Sequence, residues 1–142
     1  MTLANVAGAW RLQSFVFTDA GGDEHLPLGD APRGSVVITP GGYLSLNFMA
    51  GDRPAFAAPD LLGASDAEKA AAAASYVSFG GPCRIEGDQV VIDVDHSFFP
   101  NWTGSVQRRR VSLSGDTLTL ATLGPILVNG VERWGQATLT RI

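Results

Sequence analysis

The chain is poor in the residues that build metal centres and disulfides. Cys83 is its single cysteine, and only two histidines occur among 142 residues. One thiol cannot form an intramolecular disulfide, and so few soft ligands argue against a zinc site. No glycine-rich loop precedes a helix and no Gly-x-Ser-x-Gly motif occurs, so neither a nucleotide site nor a serine-hydrolase elbow is predicted. We expect no metal and no other cofactor.

Charge and long apolar runs are also scarce. Only 17% of the residues are charged and the net charge is −4, which argues against nucleic acid or an anionic membrane as a partner. No apolar run approaches the roughly 20 residues of a membrane-spanning helix. Residues 1–6 have neither the basic nor the apolar part of a signal peptide. We therefore expect a soluble, cytoplasmic protein with a reduced thiol, and a homodimer is compatible with these features.

Glycine, proline and alternating apolar residues are what the chain does contain. It has 17 glycines and 8 prolines, an excess that favours many short strands over long helices. Alternation predicts strands at roughly 9–18, 34–38, 43–49, 83–86, 89–98, 104–114, 117–121 and 131–141. A capping box of Ser65 and Glu68 predicts one helix over Asp66–Ala74.

These elements predict a single all-β domain over residues 1–142. About eight strands joined mainly by hairpins would leave costly sheet edges unless the sheet closes on itself. We therefore predict a closed antiparallel up-and-down β-barrel of about eight strands with one inserted short helix. A two-sheet sandwich is the alternative. A barrel of eight strands has an interior for side chains or for one small ligand.

Four segments resemble a known family. They are GAWRLQSF at 8–15, PGGY at 40–43, FPNWTG at 99–104 followed by Gln107 and Arg109, and GDTLTL at 115–120. In these segments the chain is similar to the bacterial and fungal lipocalin-like domain family. The resemblance implies a lipocalin-like barrel that holds a small apolar molecule, and some such barrels in natural-product pathways act as cofactor-free cyclases or isomerases. Relatives often carry a His-His pair where this chain has Ile92-Asp93, which counts against an activity that depends on that pair.

Arg109 is the first candidate site residue. In the strand at 104–114, Gln107 and Arg109 share a face with Val111 and Leu113, and we expect that face to point inward. An inward arginine needs partners, because an unpaired buried charge is costly. Either Arg109 and Gln107 hold a carboxylate, enolate or carbonyl oxygen of a ligand, or Arg109 pairs with an internal Asp or Tyr and organises the core.

His96 is the candidate acid–base residue. Alternation places it on one face with Val90, Ile92, Val94 and Phe98, which predicts an interior position unless a β-bulge reverses part of the strand. There His96 would act as a general acid or base, or it would be a neutral, hydrogen-bonded core residue.

The other candidates are ligand contacts along the predicted cavity. Tyr43 shares a face with Asn47, opposite an aliphatic face that we expect to point inward, so Tyr43 is a ligand contact only if the reverse holds. The remaining candidate contacts are Ser14, Phe98, Trp102 and Trp134. The helix at 66–74 would act as a lid over the barrel mouth or as a plug that completes the core. Trp10 and Arg141 are expected to form a cation–π contact that closes the other end.

The sequence therefore predicts a binding module for a small, largely apolar molecule, anchored by Arg109 and Gln107. The alternative is a cofactor-free cyclase or isomerase of a polyketide- or terpenoid-like substrate. In that enzyme His96 would move a proton and Arg109 would stabilise an oxyanion. A third hypothesis is an accessory protein with a filled barrel and no ligand.

Overall fold

Strands account for most of the structure, a computed structural model that describes residues 1–142. In chain order they are β1 (Gly8–Asp19), β2 (Glu24–His25), β3 (Arg33–Ile38), β4 (Tyr43–Met49), β5 (Tyr76–Glu86), β6 (Gln89–Asp93), β7 (His96–Ser97), β8 (Val106–Ser114), β9 (Thr117–Thr122), β10 (Ile126–Val128) and β11 (Val131–Arg141). Two α-helices, α1 (Leu3–Val6) and α2 (Asp66–Ala74), and a 3₁₀ turn at Pro100–Trp102 complete the chain.

Eight of the strands close into an antiparallel barrel. Their order is β1, β3, β4, β5, β6, β8, β9 and β11, and β11 pairs with β1 to complete the circle. The three short strands β2, β7 and β10 add to β1, β5 and β11. The predicted closed barrel is confirmed, because a sandwich would leave β1 and β11 as unpaired edges.

The barrel core follows the predicted alternation in the regular strands. In β4, Leu44, Leu46 and Phe48 are buried, whereas Tyr43 is exposed. The aliphatic face therefore points inward, as predicted. The core as a whole contains 20 buried apolar residues and no buried polar or charged one.

One end of the barrel is closed by Trp10, which is fully buried. Its indole Nε1 donates a hydrogen bond to the Val6 carbonyl oxygen of α1 at 2.9 Å. The Arg141 guanidinium lies 4.2 Å from the indole centroid and donates to the carbonyl oxygens of Ala7 and Asn5 at 3.1 and 3.3 Å. The predicted cation–π contact is confirmed, and α1, which the sequence did not predict, completes this plug.

The strand predicted at 89–98 is interrupted. It ends at Asp93, and the next residue, Val94, exchanges backbone hydrogen bonds with Gly104 and Ser105. The Asp95 amide instead donates to the Gly80 carbonyl, and β7 then pairs with β5. This change of partner breaks the alternation, so the side chains after Val94 do not continue the inward face.

Helix α2 has the predicted bounds and the predicted cap. Ser65 Oγ accepts a hydrogen bond from the Glu68 amide at 3.2 Å, and the Glu68 carboxylate accepts one from the Ser65 amide at 3.1 Å. None of the residues of α2 is buried, so it does not plug the core. Neither α2 nor α1 has the length and apolar character needed to span a bilayer.

Candidate functional site

A small cavity lies in the half of the barrel opposite the Trp10 plug. Its volume is about 100 Å³, which is below the roughly 300 Å³ at which ligand sites ordinarily begin. The barrel is therefore largely filled by its own side chains. We call this end the mouth; it is marked by Phe17, Thr122 and Ile126. The lining residues are Phe15, Phe17, Leu46, Phe48, Val77, Phe79, Trp102, Arg109, Leu120, Thr122, Ile126, Gly135 and Ala137.

Aromatic rings in edge-to-face contact form much of the cavity wall. The ring of Phe15 lies 5.2 Å from that of Phe17 and 5.4 Å from that of Phe48, centroid to centroid. Phe79 and Trp102 form a further pair in the wall, with centroids 5.3 Å apart and an interplanar angle of 86°. Such pairs keep their geometry because the ring edges are positive and the faces negative. The wall therefore suits a flat, apolar guest.

A β-bulge in β1 brings Phe15 and Phe17 into the cavity. The pairing register of β1 with β11 shifts between Leu12 and Ser14, so the inward set changes from Trp10 and Leu12 to the two phenylalanines. The prediction that Ser14 lines the interior is wrong for this reason. Sequence analysis also missed the two phenylalanines, because one inserted residue leaves no mark in the local alternation.

Gly135 on β11 makes room for the Phe17 ring. A Cβ at this position would lie 2.7 Å from Phe17 Cε1, so any larger residue would push the ring away. A glycine inside a strand indicates that another group approaches closely there, but the alternation of the strand does not show which group.

Arg109 is the one charged residue of the lining. Its guanidinium carbon lies 5.6 Å from the ring centroids of both Phe79 and Trp102, and no carboxylate lies within 4.0 Å of it. Desolvation by burial lowers the pKa of Arg109 to about 10, which still leaves it charged at neutral pH. The predicted inward orientation is confirmed, and the alternative partner, an internal Asp or Tyr, is absent.

Gln107 does not line the cavity but holds Arg109. Arg109 Nη1 donates to Gln107 Oε1 at 3.2 Å, and Gln107 Nε2 donates to Ser105 Oγ at 3.2 Å. Ser105 Oγ in turn donates to the Trp102 carbonyl oxygen at 2.6 Å. This chain of hydrogen bonds connects the cation to the 3₁₀ turn that carries the Trp102 ring.

His96 lies outside the barrel, so the prediction that it shares the interior with Arg109 is wrong. Its side chain is 54% exposed, and its Nδ1 lies 2.5 Å from Asp95 Oδ1. The Tyr43 hydroxyl donates to the same carboxylate at 3.2 Å. The hydrogen bond from His96, and then that from Tyr43, holds the pKa of Asp95 below its ordinary value. Desolvation, followed by the hydrogen bond to the Asp95 carboxylate, raises the pKa of Tyr43.

Three more predicted contacts divide between the cavity and the surface. Trp102 lines the cavity as predicted. Phe98 is half exposed and packs near Tyr76 at 6.3 Å, because the strand interruption after Asp93 turns it outward. Trp134 precedes the inward Gly135 and therefore points outward, with 39% of its surface exposed. Neither Phe98 nor Trp134 contacts the cavity.

Helix α2 contributes no residue to the cavity lining. It packs against the segment before it, with which it encloses a separate groove lined by Arg53 and Phe56. Nowhere do three His, Cys, Asp or Glu side chains come close enough to share a metal ion. The cavity thus offers an apolar wall and one cationic hydrogen-bond donor.

The known proteins that this chain resembles include a curated relative and several solved structures, among them those of two Bacteroides proteins. The relative is a 4'-hydroxy-3'-methoxypropiophenone carrier protein of Aspergillus oryzae, 29% identical over 98 residues that cover 63% of this chain and 88% of the relative. A lipocalin-like protein from Bacteroides uniformis has a TM-score of 0.49 at 14% identity, over 97% of this chain and 99% of its own. A protein from Bacteroides eggerthii has a TM-score of 0.45 at 13% identity, over 96% and 98%. The model of the lipocalin-like domain matches residues 7–141, and the chain therefore belongs to the lipocalin-like domain family.

Proposed function

We propose that this protein binds one small, largely apolar molecule in the mouth half of the barrel, anchored by Arg109, which Gln107 holds in position. The observation that carries this proposal is a cation without a carboxylate partner, packed against a pair of aromatic rings at the wall of an apolar cavity. Keeping an unpaired charge in such a place costs folding free energy. A ligand oxygen bound by Arg109 would offset that cost.

The cavity size limits the guest to about one aromatic ring. An engineered apolar cavity of roughly 150 Å³ binds benzene, and this cavity measures about 100 Å³. Entry of a substituted ring therefore requires side chains at the mouth to rotate outward. Ile126 is the half-buried apolar side chain at the mouth, whereas Phe17 beside it is buried.

The Aspergillus oryzae relative supports the same kind of ligand. Its name describes a carrier of an aryl ketone, a molecule with one ring, a ketone oxygen, and a hydroxyl and a methoxy substituent. Such a guest matches an aromatic wall with one cationic donor. The cyclase or isomerase alternative has no comparable support, because His96 is on the outer surface and does not share a cavity with Arg109.

A cavity-filling variant tests the proposal. Ala137 is buried and lines the cavity, so Ala137→Leu places three extra carbons in the space that the ligand would occupy. We expect single-ring aryl ketones and aryl carboxylates to bind the wild type in calorimetric titrations, and Ala137→Leu to weaken their binding at least about tenfold, or 1.4 kcal/mol.

Trp134→Phe is the matched control, because Trp134 lies on the same strand but faces outward. It should bind the same compounds as the wild type does. Undiminished binding by folded Ala137→Leu would contradict the proposal and would direct attention to the groove beside α2. Failure of every compound to bind the wild type would contradict it as well.

A further inference from the structure

Only one of the three guanidinium nitrogens of Arg109 donates hydrogen bonds within the protein. Nη1 donates to Gln107 Oε1 at 3.2 Å and to the Arg108 carbonyl oxygen at 2.9 Å. Nε and Nη2 donate to no group of the protein. No buried side-chain nitrogen or oxygen lacks a partner, so the two uncommitted nitrogens are in accessible space, on a side chain that lines the cavity.

These two nitrogens form one edge of the planar group. The Nε–H bond and one Nη2–H bond of a guanidinium run parallel, and together they match the two oxygens of a carboxylate. A ketone has only one carbonyl oxygen, so it cannot pair a separate oxygen with each of these two N–H bonds. Charge-assisted hydrogen bonds to a carboxylate are also roughly twice as strong as those between neutral groups.

We infer that the ligand class is an aryl carboxylate, bound through both oxygens to the Nε and Nη2 edge of Arg109. This inference rests on the proposed function and specifies its ligand. The aromatic part is indicated by the ring wall, in which Phe79 and Trp102 both pack against the guanidinium. The carboxylate is indicated by the free edge and by the absence of any protein carboxylate within 4.0 Å of Arg109.

The hydrogen bonds behind Arg109 orient this edge before a ligand arrives. Gln107 fixes Nη1, and Ser105 fixes Gln107 against the backbone of the Trp102 turn. Because the committed nitrogen is held in place, the uncommitted edge is held as well. Gln107 is therefore a positioning residue, and a ligand pays less conformational entropy to be recognised by a fork that is already oriented.

The test compares two ligands of similar shape. Calorimetric titration at pH 7 with 4-methoxybenzoate and 4-methoxyacetophenone should give about tenfold tighter binding of the carboxylate by the wild type. Arg109→Lys keeps the positive charge but lacks the fork, so it should lose most of that preference. Arg108→Gln, which changes an exposed side chain on the outer face of the same strand, should keep it.

The outcomes separate the inference from the proposed function. Equal affinities, or tighter binding of the ketone by the wild type, overturn the carboxylate assignment and leave the proposed function in place. Binding of neither compound overturns both. A preference that survives in folded Arg109→Lys overturns the two-oxygen geometry, since a point charge would then be enough.

Discussion

At the scale of single residues, the charge of Arg109 has a cost to folding, which a ligand bound as proposed would offset. Desolvation lowers its pKa to about 10, so the folded chain holds the charged form less favourably than the unfolded chain does. Between about pH 10 and the ordinary arginine pKa, the unfolded chain binds more protons. The contribution of Arg109 to the free energy of unfolding therefore rises with pH in that interval, and it is unfavourable at neutral pH.

Arg109→Met should raise the free energy of unfolding by about 1 kcal/mol, because an apolar side chain of similar length removes the desolvated charge. Urea denaturation at pH 7 measures this change. Arg108→Met, at an exposed position of the same strand, is the control and should change stability by less than about 0.5 kcal/mol. A loss of more than about 1 kcal/mol in Arg109→Met would mean that Arg109 organises the core.

Single residues also show where sequence reasoning was sufficient. Arg109 and the Trp10–Arg141 contact were placed correctly, since each lies in a segment whose alternation is unbroken up to the neighbouring turn. Trp102 lines the cavity from a 3₁₀ turn, so alternation played no part in its placement. His96 and Ser14 were misplaced because each follows an irregularity. An irregularity depends on which strand the backbone pairs with, such as Val94 with Ser105, and that choice is not encoded within the strand itself.

At the scale of elements, the segment between β4 and β5 is separable from the barrel. The two strands pair along their length, from Tyr43 opposite Pro82 to Met49 opposite Tyr76. The Ala50 amide then donates to the Ser75 carbonyl oxygen at 3.0 Å. Everything from residue 51 to residue 74, including α2, is thus an excursion from a hairpin whose ends already meet.

Replacement of residues 52–73 by a short Gly/Ser linker should therefore leave the barrel folded and ligand affinity within about threefold. The loop is shorter, so closing it costs slightly less entropy, and no cavity-lining residue is removed. Circular dichroism and calorimetric titration with the same aryl carboxylate measure both effects. A loss of affinity in a folded variant would restore the lid hypothesis for α2.

The elements predicted best were those that carry their own local signals. Helix α2 was predicted to the residue because its cap and its alanine run are both local features. The strands β2 and β10 were not predicted, and β7 was predicted only as the end of the longer strand at 89–98, since each has only two or three residues. So short a strand exists only through its pairing with a longer neighbour.

At the scale of the whole molecule, closure of the barrel couples ligand binding to folding. The cavity wall is assembled from strands at both ends of the chain, such as Phe15 of β1 and Ala137 of β11. An unfolded chain has no such site. A ligand therefore stabilises only the folded state.

An aryl carboxylate at a free concentration of 100 times its dissociation constant should add about 2.7 kcal/mol to the free energy of unfolding. For a domain of this size that corresponds to a rise in Tm of about 8 °C. Differential scanning fluorimetry over a series of ligand concentrations measures it. Ala137→Leu should show a much smaller rise, and an equal rise would place the ligand outside the cavity.

The Trp10 plug gives the barrel a blind end. A bound ligand can leave only through the mouth, because the other end is closed. A second ligand can therefore enter only after the first has dissociated. In stopped-flow displacement, the rate at which a bound compound is replaced should reach a plateau that no excess of competitor increases. Under the proposed function, the side chains at the mouth therefore set the rate of ligand release, and the concentration of competing ligand does not.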